Sequence, residues 1–374
     1  MAKIAHISDL HIGAKLGQFS QNRDIETVLN SIVEKFSNYD IMLISGDIFD
    51  NHSPSSESEE IYYNFLYKLS DSGLKVFIIS GNHDNDTRLN APKKFLQERG
   101  VYLFSSENYK PFPLEIRDEK FTILPIPYLS DLKVTREFVE IDDEVERNRV
   151  YGESFSKIVQ DLVDKSDSDS CKIVLSHSFV KDGVEGGSER FIQRGNVDLI
   201  DFSKLSKDVD YYAFGHLHRF QKVGENGYYS GSIIPISIDE GGYSKRAVTI
   251  ETANSKIVDR STYEIPQPSI YSEISGTFSE IYQQIEKPSN GYISINFSGI
   301  PTLSEGEQII ELAEERDLKI VFQKYERDIE EEREESFKFE NRSVDDLFLE
   351  YIKDKNLNYQ DRVLELFSDI SAKS

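Results

Sequence analysis

Residues 41–50 read Ile-Met-Leu-Ile-Ser-Gly-Asp-Ile-Phe-Asp. Four apolar residues followed at once by Ser-Gly-Asp describe a strand covered on both faces that stops abruptly at a turn. Working outward, the same form recurs. Upstream, Lys3–Ile7 runs into Ser8-Asp9-Leu10-His11; downstream, Val76–Ser80 runs into Gly81-Asn82-His83-Asp84. Lys172–Ser176 ends at His177, Tyr211–Phe214 ends at Gly215-His216-Leu217-His218, and Phe121–Ile126 is a further strand. Helical stretches lie between them at Ile25–Phe36, Ser58–Ser72 and Ala91–Arg99, the second with Ile61, Phe65 and Leu69 on one face. Strands alternating with helices predict α/β architecture. Sites in such sheets form beyond the carboxyl ends of the strands, so these bursts of Asp, His, Asn and Gly should converge.

Carboxylate, imidazole and amide oxygen are the ligand set of divalent ions such as Mn²⁺, Fe²⁺ or Zn²⁺. One carboxylate can bridge two ions roughly 3.5–4 Å apart. An Asp-x-His pair can aim both side chains at one site because alternate residues share a face. Glycines at 46, 81 and 215 let the backbone turn close to the ions. Each motif alone is more often a surface pair or a turn than a metal site. Five in fixed order, each directly after a strand and together holding five of the seven histidines, form a joint signal. Of the other two, His6 is expected to be buried in the first strand, and His52, in a Ser/Pro-rich loop, to lie near the site.

The order Asp-x-His, Gly-Asp-x-x-Asp, Gly-Asn-His-Asp, His, Gly-His-x-His resembles the calcineurin-like metallophosphoesterase superfamily. The resemblance implies a calcineurin-like β-sandwich flanked by helices and two divalent metal ions, Mn²⁺ foremost. Asp9, His11, Asp47 and His218 would hold one ion; Asp47, Asn82, His177 and His216 would hold the other. His83 would be catalytic, protonating the leaving oxygen or stabilising charge on the phosphate, with a water activated by the ions as nucleophile. Asp50 and Asp84 would orient the ligands. Gly81–Gly100, Ser176–Phe202, Asp210–Val223 and Tyr229–Glu240 are similar to SbcD-type nucleases within that superfamily. This implies 3′–5′ exonuclease action on duplex ends and endonuclease action on single-stranded or hairpin DNA, in end processing and double-strand-break repair. It also implies an SbcC-type coiled-coil ATPase as partner, DNA contacts at Arg88 and Arg190, and a homodimer formed by helices within about the first 110 residues. Two other readings stay open: a phosphoesterase acting on nucleotides or phosphoproteins, and an inactive scaffold, which the complete set of positions opposes.

The texture divides the chain into a metallophosphoesterase domain (1–262), a small α+β capping domain (263–327), an acidic linker (328–342) and a helical tail (343–374). Pro266, Pro268 and Ser269 mark the first junction. Strands are expected at Ile270–Ser275, Gly291–Phe297 and Lys319–Tyr325, with helices at Phe278–Ile285 and Ser304–Arg316. In the tail, Val344, Leu347, Phe348, Tyr351 and Ile352 form one apolar stripe, and Val363, Leu366, Phe367 and Ile370 a second. Periodicity alone would as soon place them on the protein's own core. The resemblance implies helix-in-groove binding to the ATPase.

Charge is the discordant datum. Forty-three basic residues face 67 acidic ones, a net −24, and residues 261–374 are no exception with 12 against 25. This argues against a free-standing nucleic-acid binder and leaves local basic patches, metal or a partner to hold DNA. The single cysteine, Cys171, excludes an intramolecular disulfide and suits a reducing compartment. With no signal-like or membrane-spanning run, the expectation is a cytoplasmic protein, nucleoid-associated when on DNA, with no membrane partner.

Overall fold

The computed structural model describes residues 1–107, 109–130, 143–181, 183–184, 200–287 and 290–326. Arg190, the acidic linker from 328 onward and both apolar stripes of the tail lie outside the described residues.

Two six-stranded sheets form the larger part. The first runs β14 (Lys256–Glu264), β13 (Arg246–Ala253), β1 (Lys3–Ile7), β4 (Ile41–Ser45), β5 (Lys75–Ile79), β6 (Val101–Phe104). The second runs β11 (Gln221–Val223), β12 (Gly227–Tyr229), β10 (Tyr211–Gly215), β9 (Cys171–His177), β8 (Glu119–Ile126), β7 (Phe112–Ile116). The central neighbours are parallel, β1 with β4, β4 with β5 and β9 with both β8 and β10, so their carboxyl ends open on one side.

Alternation along each strand builds three cores. Ile4, Leu43, Phe77 and Ile79 face Ile123, Ile173, Leu175 and Ala213 between the sheets. On the reverse face, Ile7, Met42, Ile44 and Ile78 pack on Val28 and Ile32 of α1 (Asn22–Phe36) and on Ile61 and Phe65 of α2 (Ser56–Asp71). Leu124, Val174 and Phe214 pack on Tyr151, Phe155 and Val159 of α5 (Glu144–Asp164). The result is a helix–sheet–sheet–helix sandwich. Strands buried on both faces need continuous apolar runs, which is what residues 41–44 supply.

One polar thread crosses between the sheets. Tyr211 O–H donates to His6 Nδ1 (2.9 Å), His6 Nε2–H donates to Ser45 Oγ (2.9 Å), and Ser45 O–H donates to the Ala213 carbonyl (3.0 Å). Burial pushes His6 down to about 3, so the ring is neutral.

The helix expected at Ala91–Arg99 is present in shorter form as α4 (Lys93–Gln97), and α3 (Asp86–Asn90), capped by Asn85, precedes it. Pro92 divides them, since it has no N–H to donate and clashes with the preceding turn. A short hairpin, β2 (Lys15–Leu16) with β3 (Phe19–Ser20), precedes α1.

β14 ends at Glu264 and β15 (Ile270–Gly276) begins a parallel three-stranded sheet with β16 (Gly291–Ser298) and β17 (Leu318–Glu326). α6 (Phe278–Ile285) and α7 (Leu303–Glu315) cover one face, each opened by a capping box, Thr277 with Glu280 and Thr302 with Glu305. Tyr271 and Tyr292 stack at 5.1 Å beside Leu16 and join this unit to the larger one. At the same joint a 3₁₀ helix, Ile238–Gly242, presses on β15; a Cβ on Gly241 would lie 2.1 Å from the Tyr271 carbonyl oxygen. Among the described residues no helix is long and apolar enough to cross a membrane.

Phe77 is fully buried between the sheets and stacks on Tyr102 at 5.0 Å. Phe77→Ala is expected to cost about 3–5 kcal/mol through the cavity it leaves, read as a lower urea midpoint with an unchanged denaturant slope.

Candidate metal centre

The loops after β1 and β4 are stitched together: Asp9 N–H donates to the Gly46 carbonyl, His11 N–H to Asp47 and Ile12 N–H to Ile48, each at 3.0 Å. The loop after β5 is tied on by Asp84, whose buried carboxylate accepts from the backbone N–H groups of Ile48 (3.1 Å), Phe49 (2.9 Å) and Gly81 (2.8 Å). Gly81 sits so close that a Cβ there would lie 2.1 Å from Asp47 Oδ1, which leaves room for no other residue. Asp9 (φ 51), His11 (φ 44), Asp47 (φ 49) and His216 (φ 104) adopt positive φ. Such conformations cost on the order of 1–3 kcal/mol each and persist where the surroundings over-determine them.

This scaffold brings all seven sequence-predicted ligand residues, and His83, to one place. Asp9, His11 and His218 each offer an atom within a mutual 4.8 Å, as do Asp9, Asp47 and His177, and likewise His11, Asp47 and His83. His11 Nε2 is 3.1 Å from His218 Nε2 and 3.8 Å from Asp47 Oδ2. Asp47 Oδ2 is 3.3 Å from His177 Nε2. Asn82 Oδ1 lies 2.8 Å from His177 Nε2 and 3.1 Å from His216 Nδ1. Asp47 therefore stands between two groups of donors.

Hydrogen bonds on the far side of the rings aim these atoms inward. His177 Nδ1–H donates to the Ser45 carbonyl (2.8 Å), His83 Nδ1–H to the Asp50 carbonyl (2.8 Å) and His218 Nδ1–H to Glu240 Oε1 (3.1 Å). His11 Nε2 and His218 Nε2 approach to 3.1 Å, and His177 Nε2 and the Asn82 amide oxygen to 2.8 Å, so each close pair shares a proton. A divalent cation would take the place of those protons, and the donor set of imidazole, carboxylate and amide oxygen fits one.

The electrostatics agree. Burial alone would raise Asp47, yet His177, His83 and His11 hold its carboxyl well below the usual range. Burial lowers His177 and His11, but neighbouring carboxylates outweigh it and lift them to about 9 and about 8. His216 falls to about 3 through burial and its histidine neighbours, and burial raises Asp9. Burial and the adjacent Asp47 raise Asp84 to about 6 against the pull of its three backbone donors.

Asp50 Oδ1 lies 3.4 Å from His11 Nδ1, and the carbonyl of the same residue holds His83. His52 is exposed in the loop before α2. Arg88 is occupied by Glu59, with Nη2 at 2.9 Å and Nε at 3.0 Å. Sequence reasoning missed three contributors. Ser8 Oγ–H donates to Asp9 Oδ2 at 2.5 Å. Glu240 orients His218, and Lys245 pairs with Glu240 at 2.5 Å, both out of solvent. His218 and Lys245 together hold the Glu240 carboxyl well below the ordinary range despite its burial, which acts the other way. A Glu and a Lys in a Gly-, Ser- and Tyr-rich loop carry no sequence signal of burial; the pairing is visible only in three dimensions.

The sequence profile of the calcineurin-like phosphoesterases matches residues 2–220. Among curated proteins, the SbcD subunit of the nuclease SbcCD from Bacillus subtilis (strain 168) is 28% identical over 318 residues, 81% of this chain and 80% of its own length. Its namesake from Escherichia coli (strain K12) is 25% identical over 300 residues, 76% of this chain and 74% of its own length.

Asp84→Ala strips the acceptor from three backbone donors and should destabilise the fold by at least about 1–3 kcal/mol. Asp84→Asn keeps one acceptor oxygen and should lose less. Urea titration of the two variants beside wild type orders them.

Proposed function

The chain belongs to the calcineurin-like phosphoesterase family, hydrolases that use divalent metal, and from that premise we propose that it is a two-metal DNA nuclease of the SbcD type. The observation that carries the reading is the convergence of donors from five strand ends on Asp47. Asp9, His11, Asp47 and His218 would hold one ion and Asp47, Asn82, His177 and His216 the other, Mn²⁺ being the ion proposed. Bound ions would supply an activated water and neutralise charge on the phosphate. The chain's own contribution is His83. Its Nδ1 proton is fixed on the Asp50 carbonyl and its Nε2 lies 4.0 Å from Asp47 Oδ2, so that nitrogen can hold or deliver a proton at the leaving oxygen.

One consideration favours DNA as substrate. The similarity to the Bacillus subtilis nuclease covers 81% of this chain, more than the 2–220 match to the phosphoesterase profile. The net charge of −24 opposes unaided duplex binding, so on this reading an SbcC-type ATPase would hold the DNA. The tail residues Val344 to Ile370 would engage that partner. Arg88, if released from Glu59, and Arg190 would contact phosphates. The acidic surface also suits a small or cationic substrate, so action on nucleotides or phosphoproteins is the competing reading.

A homodimer would use α2 and α4. Tyr67 (58% exposed) and Tyr63 lie a turn apart on the open face of α2, and Phe95 (63% exposed) stands on α4, apolar surface that a second copy would cover. Tyr67→Glu together with Phe95→Glu is expected to convert dimer to monomer in light scattering after size exclusion.

On end-labelled linear duplex and hairpin DNA, wild type should cleave with Mn²⁺ and not with EDTA. His83→Ala should lower the rate roughly 10²–10⁴-fold while still binding metal. DNA left intact by protein that hydrolyses nucleotides or phosphopeptides, with or without the ATPase present, would favour the competing reading.

A further inference from the structure

We propose that Glu240 and Lys245 form a buried, charge-neutral clamp that positions His218 to receive a divalent cation; the proposal rests on the metal reading above. Glu240 Oε1 accepts His218 Nδ1–H at 3.1 Å, and Glu240 Oε2 is held by Lys245 Nζ at 2.5 Å. Lys245 Nζ also donates to Ser232 Oγ (2.8 Å) and to the carbonyl oxygen of His218 itself (3.3 Å). The bonds close a ring: His218 side chain to Glu240, Glu240 to Lys245, Lys245 back to the His218 backbone. Ser232 N–H donates to the same carbonyl at 3.2 Å, so both ends of the residue are gripped.

Stability does not account for this arrangement. Glu240 is 0% and Lys245 2% exposed, and apolar residues of similar volume often replace such a pair at no loss. What an apolar pair cannot do is accept the Nδ1 proton. That bond selects the tautomer that leaves Nε2 free and fixes the ring plane opposite His11. Lys245 prevents Oε2 from competing for the imidazole and cancels the carboxylate's charge, so the ring is oriented without adding negative charge to a centre that already contains Asp9 and Asp47. His177 and His83 are oriented by backbone carbonyls, which side-chain substitution does not remove; His218 depends on a side chain.

The clamp is tested by titrating Mn²⁺ into the metal-stripped full chain by calorimetry, with melting temperature and circular dichroism as folding controls. Wild type should take up two ions per chain. Glu240→Leu with Lys245→Met removes the acceptor and both charges together. It should weaken one ion roughly 10–100-fold and leave the other unchanged. Glu240→Gln with Lys245→Met restores an acceptor oxygen and should recover most of the affinity. Glu240→Asp, which keeps Lys245 paired but withdraws the carboxylate by one methylene, gives a second route should the apolar pair not fold, and should weaken the same ion. Wild-type affinity for both ions in folded Glu240→Leu/Lys245→Met or in Glu240→Asp overturns the clamp while the metal reading stands. A lowered melting temperature without selective loss of one ion assigns the pair a structural role and also overturns it. Wild type that takes up no Mn²⁺ overturns the metal reading and the clamp with it.

Discussion

An ionised carboxylate with almost no solvent, that of Asp47, is the constraint around which the rest of this molecule is arranged. Water would stabilise such a charge; the protein substitutes the His83 backbone N–H at 2.9 Å and the imidazoles of His177, His83 and His11. To bring those groups within reach, the backbone accepts left-handed turns at Asp9, His11 and Asp47 and a side-chain-free approach at Gly81. Asp84 ties the loop after β5 to the left-handed turn after β4 by backbone donors alone. The apolar layers beneath supply the stability that offsets the strain.

Neither sheet contains the centre. The first provides Asp9, His11, Asp47, Asn82 and His83 from the ends of β1, β4 and β5; the second provides His177, His216 and His218 from the ends of β9 and β10. Their relative placement is a packing problem solved between the sheets by Phe77, Ile173, Leu175 and their neighbours. Ser45 adds a polar fastening. Its hydroxyl bonds Ala213 and His6 while its carbonyl orients His177, so one residue at the end of β4 both joins the sheets and aims a ring from the opposite one.

The strands that end at the centre were legible because burial on both faces forces an apolar run, and a run broken by Gly-Asp or Gly-Asn-His has little other meaning. The α/β architecture and the gathering of Asp9, His11, Asp47, Asn82, His83, His177, His216 and His218 followed from that pattern, while the sandwich was implied by the family resemblance. Helix α5 escaped because Gly152 and a dense charge pattern dilute its stripe of Tyr151, Phe155, Val159 and Leu162. The hairpin of β13 and β14 turns at Asn254-Ser255, both at positive φ, but the open faces of β14 show no apolar alternation to announce a strand. Glu240 and Lys245 escaped for another reason: two charges that cancel only through tertiary contact look like solvent-facing loop until the contact is seen.

The 3₁₀ helix at Ile238–Gly242 has a wider consequence for how such proteins can be recombined. The family match stops at residue 220, which invites the view that the catalytic half is a cassette. Yet β13, neighbour to β1, comes later in the chain, and Glu240 stands on a helix whose Gly241 is pressed against the carbonyl of Tyr271 in the adjoining unit. That helix is a party wall: one side steadies His218, the other carries the small sheet. Exchanging the small unit for another would succeed only if the newcomer presented its backbone at the same spacing to a residue with no side chain to yield.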